Sequence, residues 1–241
     1  MVEKEARAKF YEKRKRRRRK IVLRRILLML ITVFLTVSLI GTVVSLFGYF
    51  GGNQRDNGFV PWPYGSNLSK NVKIATETEI PKWIDVQLIH KHSTARTGRY
   101  LSDIKNIVIH YVGNPDTSAI NNRNYFDKAT TTVSSHFVVG LDGEIVQCVP
   151  LYERSAASNS KNKDSISIEV CHPDESGKFN QQTYNSLIKL VSFLCEKFSL
   201  DESAVIRHYD ITEKICPKYY VENEDAWEDF KRDVKESINE N

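Results

Sequence analysis

"NIVIHYV", residues 106–112, decides how the rest of this 241-residue chain is to be read. Ile107, Val108, Ile109 and Val112 are β-branched, and Asn114-Pro115 supplies turn chemistry directly after them. An apolar run of that length bounded by a turn reads as a buried strand. His110 closes the "NIVIH" part, where a side chain at a strand end can face a cleft. Downstream, "SSHFVVGLDGEIVQCVP" (134–150) reads as two strands joined through Asp142-Gly143, a strong hairpin signal. "DSISIEVCHPD" (164–174) alternates, with Ile166, Ile168 and Val170 on one face and Ser165, Ser167 and Glu169 on the other. Glu169 is then a carboxylate on the non-core side of a central strand.

The pattern then changes period. Residues 181–198, "QQTYNSLIKLVSFLCEKF", place Tyr184, Leu187, Ile188, Val191, Leu194, Cys195 and Phe198 at helical spacing, which makes Cys195 a core residue. A last helix around "EDAWEDFKRDVKESI" carries Trp227, Phe230, Val234 and Ile238 on one stripe. Alternating strands and helices predict an α/β domain, a mixed central β-sheet flanked by helices.

The N-terminal part has a different composition. Residues 1–25 hold 13 Lys and Arg against 3 Asp and Glu, leaving 22 against 27 in residues 26–241, so the formal net charge of +5 describes the tail alone. Next comes "ILLMLITVFLTVSLIGTVVSLFGYF", 26–50, without a single charged residue, His, Asn or Gln. That stretch is long enough to cross the ~30 Å hydrocarbon core as a transmembrane helix. A cleaved signal peptide is the rival, but the first alanine beyond the span is Ala75, so no alanine-type cleavage site follows. A buried core helix is a third reading. The arginine run would suit nucleic acid or nuclear import on its own; against an apolar span it fits the positive-inside rule, and no nucleic-acid partner is expected.

The expected organisation is a basic cytoplasmic tail (1–25), an anchor (26–50), a spacer (51–80) and one catalytic domain (81–241), monomeric, with the N-terminus cytoplasmic and the domain extracellular. Residues 51–80 mix Gly, Asn, Ser and Pro without a sustained period, as a spacer does.

Chemistry concentrates in "RHYDITEKICPKYY", 207–220, where His208 and Cys216 flank Lys214. With His110 they make a His-His-Cys set suited to zinc, whose catalytic sites take three protein ligands and leave one position open. Six histidines and four cysteines allow many such triplets, so composition alone leaves the set undecided. Glu169 reads equally as a solvated strand residue and Lys214 as a surface lysine. His136 either lines the cleft or is a hydrogen-bonded core histidine. Tyr111 and Asn114 follow the ligand strand and could touch substrate. His172 in "CHPD" reads as turn chemistry, and His90 and His92 have no assigned role.

In this order and spacing, "NIVIHYVGNP", "SSHFVVGLDGEIVQCVP", "SISIEVC" and "RHYDITEKICPKY" resemble the type 2 N-acetylmuramoyl-L-alanine amidases, the family of the phage lysozyme-like amidases and the peptidoglycan recognition proteins. The resemblance covers about residues 81–235. It implies Zn2+ held by His110, His208 and Cys216, with Glu169 acting on the attacking water and Lys214 assisting. Cysteine as third ligand, where many members have aspartate, implies the catalytic branch. Ser135 departs from the phage-type pattern, which has a tyrosine before the "HF", so Glu169 becomes the main general-base candidate.

The function expected is a membrane-anchored zinc amidase acting on peptidoglycan at the outer face of the cytoplasmic membrane. A catalytically weak or silent peptidoglycan receptor on the same fold is the alternative, and a zinc peptidase cutting within the stem peptide is another. Cys148, Cys171 and Cys195 are expected as free buried thiols, although an outward-facing domain could pair them.

Overall fold

The computed structural model describes residues 68–91 and 93–240. The basic tail, the apolar span at 26–50 and the first part of the stretch read as spacer lie outside these residues. Among the described residues no helix is long and apolar enough to cross a membrane.

The domain contains strands β1 (Asp85–Val86), β2 (Asn106–Tyr111), β3 (Phe137–Val139), β4 (Ile145–Gln147), β5 (Ser165–Val170) and β6 (Val205–Arg207). Its helices are α1 (Lys70–Glu77), α2 (Ala119–Phe126), α3 (Gln181–Phe198), α4 (Tyr209–Thr212), α5 (Lys218–Glu222) and α6 (Glu224–Asn239). The sheet order is β1-β4-β3-β5-β2-β6, parallel throughout except for the β3/β4 hairpin. The expected mixed sheet flanked by helices is therefore the observed one.

Strand alternation explains the layering. Ile107 and Ile109 of β2, Phe137 and Val139 of β3, and Ile166, Ile168 and Val170 of β5 belong to the larger core cluster, with Leu187, Leu190, Val191 and Leu194 of α3 and Trp227, Phe230 and Val234 of α6. Residues of the opposite parity, Val138 and Val146, join Ala119 and Phe126 of α2 in a smaller cluster. Fully burying each large aliphatic side chain stabilises by roughly 1.5–3 kcal/mol, so the face under α3 and α6 carries most of the stability. The opposite face is left partly polar, and there β5 presents Ser167 and Glu169.

Local signals start and stop these elements. The Asn180 side chain accepts from the Thr183 N–H at 2.9 Å to cap α3, and Ser199, at φ 54°, ends it. Gly143, at φ +81°, makes the hairpin turn, with the Gly140 N–H donating to the Glu144 carbonyl at 2.8 Å.

One boundary needs correction. Within 51–80, α1 is a helix capped by Ser69, and its buried Val72 and Ala75 belong to the larger core. Asn71 Nδ2 donates to the Ile104 carbonyl at 2.9 Å. With two turns and a narrow apolar stripe, α1 shows no helical period in its sequence; the packing of Val72 and Ala75 makes it part of the domain.

Candidate active site and metal centre

The parallel register assembles the site. β2 lies between β5 and β6, with His110 directly opposite Glu169 and Ile109 opposite Arg207. The His208 N–H donates to the Ile109 carbonyl at 3.2 Å, extending that pairing by one residue. Glu169, His110 and His208 thus come to one level at the carboxyl ends of three adjacent parallel strands, where open α/β sheets commonly bind ligands. The chain then turns through α4, passes Glu213 at φ 61°, and returns, so that the Tyr209 N–H donates to the Cys216 carbonyl at 2.9 Å.

Arg207 holds that loop from below. Its guanidinium pairs with Asp210 at 2.9 Å and Glu224 at 2.6 Å, and donates to the Tyr220 carbonyl at 2.9 Å. The same guanidinium lies 5.3 Å from the Trp227 ring centroid. A planar donor fork satisfied on several sides fixes the loop more firmly than a lysine would.

Ligand atoms of His110, His208 and Cys216 lie within 4.8 Å of one another, and all three residues are buried. His110 Nδ1 is 3.8 Å from Cys216 Sγ, and the two imidazole centroids are 4.7 Å apart. The outer ring nitrogens are held from behind: His110 Nε2 is 3.0 Å from Ser158 Oγ, and His208 Nε2 is 2.8 Å from Asn159 Oδ1. Asn159 Oδ1 can only accept, so Nε2 of His208 carries the proton and Nδ1 keeps its lone pair. That Nδ1 is buried and has no hydrogen-bond partner. Leaving such an atom unsatisfied costs about 1–3 kcal/mol, which a metal ion bound there would remove. Two oriented imidazoles and a thiol fit zinc.

Electrostatics point the same way. Burial, the neighbouring His208 and Lys214 hold His110 well below the ordinary histidine range; burial and Lys214 also lower His208. Both rings are therefore neutral, the ligand form. Burial, aided by the nearby Glu169 charge, pushes the Cys216 thiol up to about 12, against a backbone hydrogen bond from Tyr111 and the Lys214 charge. Only a strong local cation would make it a thiolate near neutral pH.

Glu169 is pushed up to about 8, by burial against the opposing pull of Lys214. Its Oε2 is buried without a hydrogen-bond partner. The three candidate ligands, Glu169 and Lys214 share one cavity of about 660 Å³, to which Tyr111 and Asn114 also contribute. Tyr111 stacks on His172, centroids 5.1 Å apart. His172 Nδ1 lies 2.7 Å from the Asp174 carbonyl, in keeping with a turn role.

His136 is elsewhere. It is fully buried, with Nε2 2.8 Å from the Glu153 carbonyl and Nδ1 accepting from the Ser167 N–H at 3.0 Å, and it does not line the cavity. Burial lowers it to about 4. The expectation of a substrate contact gives way to the core-histidine reading, because both ring nitrogens are occupied by backbone. Ser135 is likewise buried, its hydroxyl donating to the Phe137 carbonyl. His90 is exposed and meets Asp127 at 2.7 Å. All four cysteines are free and buried.

Two groups escaped sequence reasoning. Ser158 and Asn159 lie in a small polar loop indistinguishable from any other; only Asn159 at φ 51°, a conformation asparagine tolerates, hints at a special place. The second is α2, whose Tyr125 lines the cavity together with the following Lys128.

An α/β domain that brings two neutral imidazoles, a thiol and a glutamate with one buried, unpartnered oxygen to one cavity has the constellation of a metal-assisted hydrolase. Residues 100–219 match the family model described as N-acetylmuramoyl-L-alanine amidase, an enzyme family, and the chain carries a domain that belongs to it. Similar curated proteins are the N-acetylmuramoyl-L-alanine amidases BlyA of Bacillus subtilis, 34% identical over 161 residues, and CwlL of Bacillus licheniformis, 30% identical over 156 residues. Each alignment covers 58% of this chain and 43% of the relative, so the chain spans less than half the length of these proteins. Among solved structures, a mutant endolysin from Bacillus subtilis is 27% identical with a TM-score of 0.56, covering 63% of this chain and 97% of that one. The catalytic domain of XlyA is 26% identical with a TM-score of 0.55, covering 63% and 98%.

Proposed function

We propose that this chain is a membrane-anchored, zinc-dependent N-acetylmuramoyl-L-alanine amidase that hydrolyses the amide between the lactyl group of N-acetylmuramic acid and L-alanine of the stem peptide. The observation that carries the reading is the single cavity lined by His110, His208, Cys216 and Glu169, one of whose oxygens is buried and unpartnered. The names of the curated relatives support the substrate.

His110, His208 and Cys216 would hold the zinc, with Ser158 and Asn159 orienting the imidazoles. Bound zinc supplies Lewis acidity, acidifying water and polarising a carbonyl. In its ionised form Glu169 takes a proton from the attacking water as the water oxygen bonds to the amide carbon, and returns that proton to the nitrogen as the C–N bond breaks. Lys214 places a positive charge where the carbonyl oxygen becomes negative. The products are a muramic-acid carboxylate and a peptide with a free L-alanyl amine.

The anchor rests on the sequence: the uncharged stretch 26–50 preceded by a basic tail. It would place the catalytic domain outside the cytoplasmic membrane, within reach of peptidoglycan.

The test uses the full chain, purified in mild detergent, as wild type and Cys216→Ser. Zinc content is measured together with mass spectrometry of products from digested peptidoglycan. Stoichiometric zinc and peptides beginning with free L-alanine, both lost in the variant, are expected. Zinc without cleavage would replace the enzyme by a peptidoglycan receptor, cuts within the peptide would make it a peptidase, and absence of zinc would refute the metal site.

A further inference from the structure

We propose that the α2 wall of the cavity is a recognition arm for the stem peptide, in which Lys128 pairs with a free peptide carboxylate; this rests on the amidase reading of the same cavity. Lys128, Glu169 and Lys214 are the acidic or basic side chains, histidine aside, that line it. Glu169 and Lys214 belong to the reaction. Lys128 comes from a separate element, just beyond the C-terminal end of α2.

Its surroundings keep the cation both placed and available. The Lys128 N–H donates to the Tyr125 carbonyl at 3.2 Å, and the Lys128 carbonyl accepts from the Thr131 N–H at 3.0 Å. Thr131 Oγ1 also donates to the Tyr125 carbonyl, at 2.7 Å. The turn therefore fixes the base of the side chain, and Nζ lies 5.5 Å from the Tyr125 ring centroid. The adjacent carboxylate is already engaged: Asp127 meets His90 at 2.7 Å and Arg123 at 2.8 Å. Among the described residues no salt bridge engages Lys128.

The chemistry of the partner follows. Tyr125, 49% exposed, and Val133, 43% exposed, line the same cavity and offer an apolar platform beside the charge. A carboxylate carried on a short aliphatic side chain matches both features. Around the scissile bond such groups belong to the peptide, because the lactyl carboxyl of the sugar is consumed in the amide that is cut. The three asparagines of α2 each give one end of the amide to neighbouring residues: Asn121 Oδ1 accepts from the Ser118 N–H, Asn122 Nδ2 donates to Thr117 and Ser118, and Asn124 Oδ1 accepts from Arg123. On this wall the lysine supplies the formal charge, and Tyr125 and Val133 the apolar platform beside it.

The experiment compares three muropeptides of equal length in the full chain: one with all carboxylates free, one amidated at the second residue of the stem and one amidated at the third. For wild type, Lys128→Gln and Lys128→Glu, kcat/KM is measured by product release and Kd by calorimetry. Amidation of one of the two residues is expected to weaken wild type about fivefold, the scale of a solvent-accessible charge pair, mainly through KM. Which one does so identifies the carboxylate. Lys128→Gln should treat that pair alike, and Lys128→Glu should prefer the amidated form. Cleavage by wild type without any preference, or a preference that survives in Lys128→Gln, would overturn the recognition arm while leaving the amidase intact. Carboxylate-dependent binding without cleavage would keep the arm and remove the amidase.

Discussion

Glu169 shows, at the scale of one residue, how a site is kept ready at the expense of stability. Its folded-state value near 8 lies above the ordinary 4.5 because the carboxyl is buried. Between those values Glu169 in the folded, metal-free protein holds a proton that the unfolded chain has released, so the contribution of this one group to stability falls as pH rises from about 4.5 to about 8 and then levels. Glu169→Gln removes this slope. Chemical denaturation of the metal-free protein should therefore find the variant more stable than wild type at pH 8, with the gap closing towards pH 4. Equal midpoints at both pH values would refute the burial argument. The same variant should lose about 10²–10⁴-fold in turnover with zinc bound, since no carboxylate remains to move the proton. His136 marks the limit of reading residues singly: beside an aromatic strand it could line a cleft or fill a core, and only the Glu153 carbonyl and the Ser167 N–H at its two nitrogens decide for the core.

Elements matter through what they hold in place. The 3-10 turn Asn159–Lys163 has no apolar residue and no motif, yet Asn159 and the preceding Ser158 stand behind both imidazoles. Partners of this kind commonly govern metal affinity by 10–100-fold. Chelator competition should accordingly show Asn159→Ala binding zinc about 10–100-fold more weakly, with Asn159→Asp recovering most of the loss because it keeps an acceptor at the same place. Affinity unchanged in Asn159→Ala would mean that strand register alone orients His208. The element most visible in the sequence, α3, is visible because eighteen residues let the helical period repeat. α1, at eight residues, does not repeat it, so its sequence looks like spacer.

The whole chain joins the domain of residues 68–240 to an N-terminal stretch of opposite charge balance. The net positive charge comes from the first 25 residues, and the remainder is acidic in balance, so attraction to anionic wall polymers is a poor means of keeping the domain in place. A hydrophobic anchor would do so instead. The full chain should sediment with membranes and resist extraction by high salt, and removal of residues 1–50 should release it to the soluble fraction. Salt-extractable or soluble full-length protein would refute the anchor.

The sequence by itself determined β2, the β3/β4 hairpin, β5 and the two long helices, because these follow from local periodicity; the short β1 and β6 left no such signal, and the candidate ligands came from the family resemblance, composition alone leaving that set undecided. "NIVIHYV" specified a strand, and "RHYDITEKICPKYY" named two of the three ligands. Only the tertiary structure decided which of these residues meet. The β5-β2-β6 register sets Glu169, His110 and His208 on one level, and the Arg207 clamp brings Cys216 back to them. It also decided which polar residues support the imidazoles, Ser158 and Asn159 from one loop. Contacts between elements distant in sequence depend on packing, and packing leaves no period along the chain.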